Sequence, residues 1–183
     1  RTPSVRWSTG RGARRSSPGS LRLQPMGELV ITAEDPRTAD VRELLERHLA
    51  FAHATTPVED VHALGVDGLL APDVSLFACR RHGVLLGVGA LRTLDAEHGE
   101  LKSMHTLVTS RGQGVGRAMV GHLLGVARDR GDRRVSLETG TMGAFAPARA
   151  LYRSVGFEPC EPFGDYWVGP NSTCMTLVLD ARR

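Results

Sequence analysis

Two periodicities divide the chain into short strands and amphipathic helices. Residues 28–33 alternate apolar and polar side chains and predict an opening strand. Asp35 followed by Pro36 marks a helix start, with Asp35 as its cap. Residues 39–54 then place Val41, Leu44, Leu45, His48, Leu49 and Ala52 on one helical face. Residues 57–64 predict a short second helix. Residues 74–80 and 84–94 predict a hairpin around Arg81-His82-Gly83, and 99–108 the next strand. Residues 115–130 carry Val115, Met119, Val120, Leu123, Leu124 and Ala127 on one face, and Gly131 closes that helix. A strand over 134–139, a helix over 146–155 ending at Gly156, and strands over 157–161 and 173–179 complete the pattern. The turn-rich stretch 162–172 separates the last two. There is no internal repeat and no sign of a second domain.

Composition sharpens this picture. The chain has 183 residues, 41% hydrophobic and only 5% aromatic, so one domain has an adequate core and that core is mostly aliphatic. No apolar run approaches the length of a membrane span. The net charge of +3 is misleading. Residues 1–25 hold six arginines and no acid, so the remainder carries −3. With its prolines, glycines and serines, the segment 1–26 reads as a disordered Arg-rich extension, translated upstream of a start at Met26. A nucleic-acid-binding arm is the competing reading of that tail. Residues 27–183 form the single folded domain. Cys79, Cys160 and Cys174 show no close pairing in the sequence, which points to a reducing cytoplasm. The histidines have no metal-ligand spacing, so no metal is expected.

The strongest chemical signal is Arg111-Gly112-Gln113-Gly114-Val115-Gly116-Arg117, between a strand and a strongly helical segment. Alternate glycines leave a turn whose N–H groups can close on a phosphate, and the helix adds the positive end of its dipole. A Walker loop is excluded, because Gly116 is followed by Arg117-Ala118. A dinucleotide fingerprint is excluded because its last glycine would fall on Arg117 or Met119.

The pattern that fits is R-x-x-G-x-G on Arg111, Gly114 and Gly116, and a second, A-x-x-L-Y-x-x-x-G-F, is met at every fixed position from Ala148 to Phe157. Together they resemble the GCN5-related N-acetyltransferase (GNAT) family, and the segment 145–152 with Pro162-Phe163-Gly164-Asp165-Tyr166 and Pro170-Asn171-Ser172 resembles, within it, the bacterial YsnE-type acetyltransferases. The resemblance implies an α/β GNAT fold: a central, mixed, mostly antiparallel twisted sheet of six to seven strands flanked by about four helices. It implies acetyl-CoA as cosubstrate and transfer of its acetyl group by direct attack of a small-molecule or peptide amine. An acyl-CoA-binding module without turnover is the alternative. No nucleic-acid or membrane partner is implied, and homodimers are common among such proteins.

The same resemblance assigns roles. Backbone N–H groups of Gln113, Gly114, Val115, Gly116 and Arg117, with Gly112 in the turn, would cradle the pyrophosphate, and Arg111 and Arg117 would add positive charge. Leu107 and Val108 would pair with the pantetheine arm, the Val108 N–H polarising the thioester carbonyl. Tyr152 matches the general acid that protonates the thiolate. The general base is left open between Glu100 and His105, with Glu138 a third carboxylate. On a regular strand Glu100, Lys102, Met104 and Thr106 would share one face, and His105 the other. Phe145 stands where many members have an asparagine contacting pantetheine. Phe163, Asp165 and Tyr166 lie in a loop placed to line the acceptor pocket.

Overall fold

The computed structural model describes residues 27–57, 62–167 and 169–179. The predicted extension 1–26 lies outside them, as does the middle of the helix predicted over 57–64. The elements are β1 (Val30–Ala33), α1 (Ala39–Thr55), a single turn α2 (Val66–Leu69), β2 (Val74–Arg81), β3 (Val84–Thr93), β4 (His98–Thr106), α3 (Val115–Arg130), β5 (Arg134–Gly140), α4 (Ala146–Val155), β6 (Glu158–Cys160) and β7 (Ser172–Val178). Seven strands form one sheet in the order β1-β2-β3-β4-β5-β7-β6. Every pairing is antiparallel except β4 with β5. This is the GNAT fold that the motifs imply.

The helical periodicity of 115–130 translates directly into packing. All six of its predicted inward residues are buried, against Leu91, Leu101, Val135 and Leu137 of the sheet. Each of the five larger side chains contributes about 1.5–3 kcal/mol relative to exposure, and Ala127 less. Tyr152 of α4 and Phe157 join this cluster. A second cluster joins Val41, Leu44 and Leu45 of α1 to Ala78, Val88 and Ala90 on the sheet. Pro159 is tolerated because β6 is an edge strand.

Three local expectations are corrected. Asp35 is not the helix cap. Thr38 is the N-cap residue, without a side-chain bond, while the Asp35 carboxylate accepts the Arg37 N–H at 2.8 Å and pairs with its guanidinium. The cysteines do include a pair: Cys160 on β6 stands opposite Cys174 on β7, and both are free thiols. Residues far apart in sequence became neighbours through strand pairing, which spacing alone does not reveal.

The third correction matters most for function. β4 is not regular. Val88 pairs with His105 and Ala90 with Lys102, so Ser103 and Met104 together oppose Gly89. Ser103 adopts φ 51°, a left-handed conformation that costs a non-glycine residue about 1 kcal/mol. A Cβ on Gly89 would lie 2.6 Å from the Met104 sulfur, so the missing side chain makes room for the bulge. Beyond the bulge the alternation inverts. His105 joins Glu100 and Lys102 on the face that carries α1, and Met104 turns to the α3 face.

Candidate active site

β4 and β5 are paired only where His98–Leu101 meet Arg134–Leu137. Beyond that they part, and a chamber of about 110 Å³ occupies the gap. It is lined by Lys102, Ser103 and Met104 from β4, Glu138, Thr139 and Gly140 from β5, and Tyr152 from α4. His48 and Phe145 close it toward a groove of about 420 Å³ that runs to the glycine turn. His62 and Lys102 connect it to a larger pocket of about 890 Å³ under the β6–β7 loop. The volume of the chamber suits roughly three waters or an acetyl group, not a whole acceptor.

The groove contains Arg111, Gly112, Gly114, Val115, Gly116, Arg117, Phe145 and Tyr152, all expected there from the sequence. Gly112 and Gly114 have φ of 74° and 81°, and a Cβ added to either would meet nothing within 4 Å. The turn is therefore both conformationally dependent on glycine and sterically open. Gly114 caps α3 without a side-chain hydrogen bond, which leaves the first N–H groups of the helix directed at an anion site. This donor set fits a pyrophosphate. Gly116 plays a different part: a Cβ there would meet Leu151 at 3.0 Å, so it lets α4 approach α3.

Leu107, Val108 and Gln113 do not line the groove. Leu107 packs toward α1, and its N–H donates to Leu86 at 2.9 Å. The Val108 N–H has no backbone acceptor among the described residues. Gln113 works as a strut: its amide donates to the Thr109 carbonyl at 2.9 Å and accepts from Arg81 at 2.8 Å. Arg81 also donates to the Gly27 carbonyl at 3.0 Å. Arg81→Ala is expected to loosen this turn and raise the acetyl-CoA Kd about tenfold. A titration should show that change with little effect on kcat.

Tyr152 is 6% exposed and lines both groove and chamber. Burial, reinforced by Glu138, holds its phenol above the ordinary tyrosine range, so it keeps its proton. Its hydroxyl has no hydrogen-bond partner among the described residues. Glu138 accepts the Ser172 hydroxyl at 2.6 Å. Burial raises its pKa above the ordinary value of 4.5, with Ser172, His62 and Lys102 opposing.

Glu100 is more deeply buried, at 1% exposure, and lines the large pocket but not the chamber. Its Oε1 accepts the Tyr166 hydroxyl and lies 3.4 Å from Lys102 Nζ. Lys102 also donates to Tyr166 at 2.6 Å and to the His62 carbonyl at 3.0 Å. Phe163 packs on His98 and Tyr166, and Asp165 lines the same pocket. His105 sits in the groove with its Nδ1 3.2 Å from that of His48, a partner the sequence did not suggest. Phe145 packs edge-on against Phe51 and covers Gly140, where a Cβ would lie 2.5 Å from its ring. Among the described residues no group of three or more His, Cys, Asp or Glu could hold a metal ion, and no helix is long and apolar enough to cross a membrane.

With this geometry in view, comparison with known proteins is direct. The acetyltransferase (GNAT) family matches residues 38–157. The chain is 42% identical over 149 residues to the uncharacterized N-acetyltransferase YsnE of Bacillus subtilis, covering 81% of this chain and 99% of that one. It is 40% identical to the uncharacterized N-acetyltransferase YedL of Escherichia coli, over 81% and 94% of the two chains. Among solved structures, a protein assigned as an acyl-CoA N-acyltransferase from Klebsiella pneumoniae superposes with a TM-score of 0.68 at 27% identity, covering 83% of this chain and 98% of that one. A GNAT family acetyltransferase from Elizabethkingia anophelis with acetyl-CoA bound shares the fold, with a TM-score of 0.62 at 16% identity over 82% and 98% of the chains.

Proposed function

The chain belongs to the acetyltransferase (GNAT) family, and from that premise we propose that it moves the acetyl group of acetyl-CoA to a primary amine by direct attack. The observation that carries this reading is a continuous path. An open glycine turn at a helix N-terminus leads along the groove to the Tyr152 hydroxyl, and through the gap between β4 and β5 to an acid-lined pocket.

Acetyl-CoA, when bound, supplies an activated thioester for the amine to attack. The chain's part is to hold, orient and move protons. N–H groups from Gln113 to Arg117 hold the pyrophosphate, with Arg111 and Arg117 beside them. Tyr152, kept protonated by burial, gives its proton to the departing sulfur.

For the base we favour Glu138 over Glu100 and His105. Glu138 shares the chamber with Tyr152, whereas neither Glu100 nor His105 lines it. Glu100, already paired with Lys102 and Tyr166, then shapes the pocket wall, and Asp165 beside Phe163 and Tyr166 suits a cationic acceptor. Three free cysteines among the described residues suit a reducing compartment such as the cytoplasm.

A base must be ionised, so kcat should fall as pH drops through the Glu138 pKa, which burial places above 4.5. Glu138→Gln is expected to lower kcat at neutral pH about a hundredfold and to remove that acidic limb. Steady-state rates across pH check both. An unchanged limb in the variant would remove Glu138 from this role.

A further inference from the structure

The β4 bulge has a second effect, on His105. By turning it onto the α1 face, the bulge sets it against His48 with Nδ1 to Nδ1 at 3.2 Å and the rings tilted by 56°. A hydrogen bond between two ring nitrogens requires one to carry hydrogen and the other to be bare. A neutral pair therefore holds one ring as the Nδ1–H tautomer and the other as Nε2–H. His48 lines both chamber and groove, and His105 lines the groove alone. The pair thus spans the chamber and the cofactor groove.

We propose that His48 and His105 form a proton relay that carries the proton released by amine acetylation from the chamber to the groove. The proposal rests on the acetyl-transfer reading above. The stoichiometry demands an exit. An acceptor entering as an ammonium ion has three protons on nitrogen, and its amide product keeps one. The N–C bond forms, the C–S bond breaks, one proton goes to sulfur and one must reach solvent. A proton taken up at His48 Nε2 sends the shared Nδ1 proton to His105, whose Nε2 releases its own into the groove. Product release admits water to both ends and restores the starting tautomers.

The surrounding charges suit a neutral relay. Burial first, then the charges of His105 and Lys102, push the His48 pKa down to about 4. Burial and then Arg111 lower that of His105. The other titratable groups facing the pair across the chamber are Glu138, His62 and Tyr152. Two cations near the pair, Lys102 and Arg111, therefore discourage it from trapping the proton as imidazolium.

The test is His48→Asn, whose amide can keep the bond to His105 Nδ1 but cannot pass a proton through. Expected results are a fall in kcat of roughly tenfold to a hundredfold, a much smaller change in KM for acetyl-CoA, a larger solvent deuterium isotope effect, and partial rescue by added imidazole. A kcat and isotope effect equal to wild type would overturn the relay, as would a rate loss that imidazole leaves unchanged. Nitrogen-15 NMR of the wild-type rings at neutral pH gives a reading independent of turnover. One ring protonated on Nδ1 and the other on Nε2 is expected; two Nε2–H rings, or an imidazolium, would refute the pair. Wild-type protein that releases no CoA with any amine would sink the acetyl-transfer reading, which the NMR result does not depend on.

Discussion

Tyr152→Phe is expected to lower kcat by about two orders of magnitude while leaving acetyl-CoA affinity nearly unchanged. The substitution removes one oxygen from a side chain that packs on Phe157 with ring centroids 5.9 Å apart, so the α4 packing survives. The lost oxygen has no hydrogen-bond partner among the described residues, so no buried group is orphaned. The missing function is the proton for the departing thiolate. The effect should depend on the leaving group: acetyl donors whose thiol is more acidic need less help, and the gap between variant and wild type should shrink with them. Equal losses in kcat and in acetyl-CoA affinity would assign Tyr152 to packing.

Gly114→Glu is expected to weaken acetyl-CoA binding at least a hundredfold, about 2.7 kcal/mol. Two effects act on binding. The carboxylate enters the space meant for a diphosphate, and like charges at contact repel strongly where water is thinned. The fold itself has room, since a Cβ at this position meets nothing within 4 Å. Backbone strain at φ 81° costs about 1–2 kcal/mol of stability. An acid at a helix N-terminus offsets part of it. Gly114→Ala carries the same strain without the charge. Calorimetric titration of both variants therefore separates the two: the alanine variant should retain most of its affinity and the glutamate variant very little.

Much of this was legible in the sequence because the signals were local. The period of residues 115–130 gave the helix, its bounds and its six buried residues, since side-chain direction in a helix follows spacing alone. The glycine turn was legible for the same reason: positive φ and close approach are demands on individual residues. What depended on partners across the sheet was not. The bulge at Ser103 and Met104 is set by their relation to Gly89, fourteen or more residues upstream, and it moved His105 to the other face. His48 read as one more position on a helical stripe because nothing local marks its contact with His105. Glu138 could not be distinguished from a surface carboxylate until the parting of β4 and β5 put it in a chamber with Tyr152. Glycines at positions 87 and 89, inside one strand, hint at irregular pairing.

Transfer to an amine is read most simply as CoA-thiol release from acetyl-CoA by the wild-type protein. The measurement runs over a panel of primary amines, with products identified by mass spectrometry. At least one amine is expected to raise thiol release far above the amine-free background and to be recovered as its N-acetyl derivative. Acetyl-CoA that binds tightly, yet releases thiol at a rate no amine changes, would contradict it.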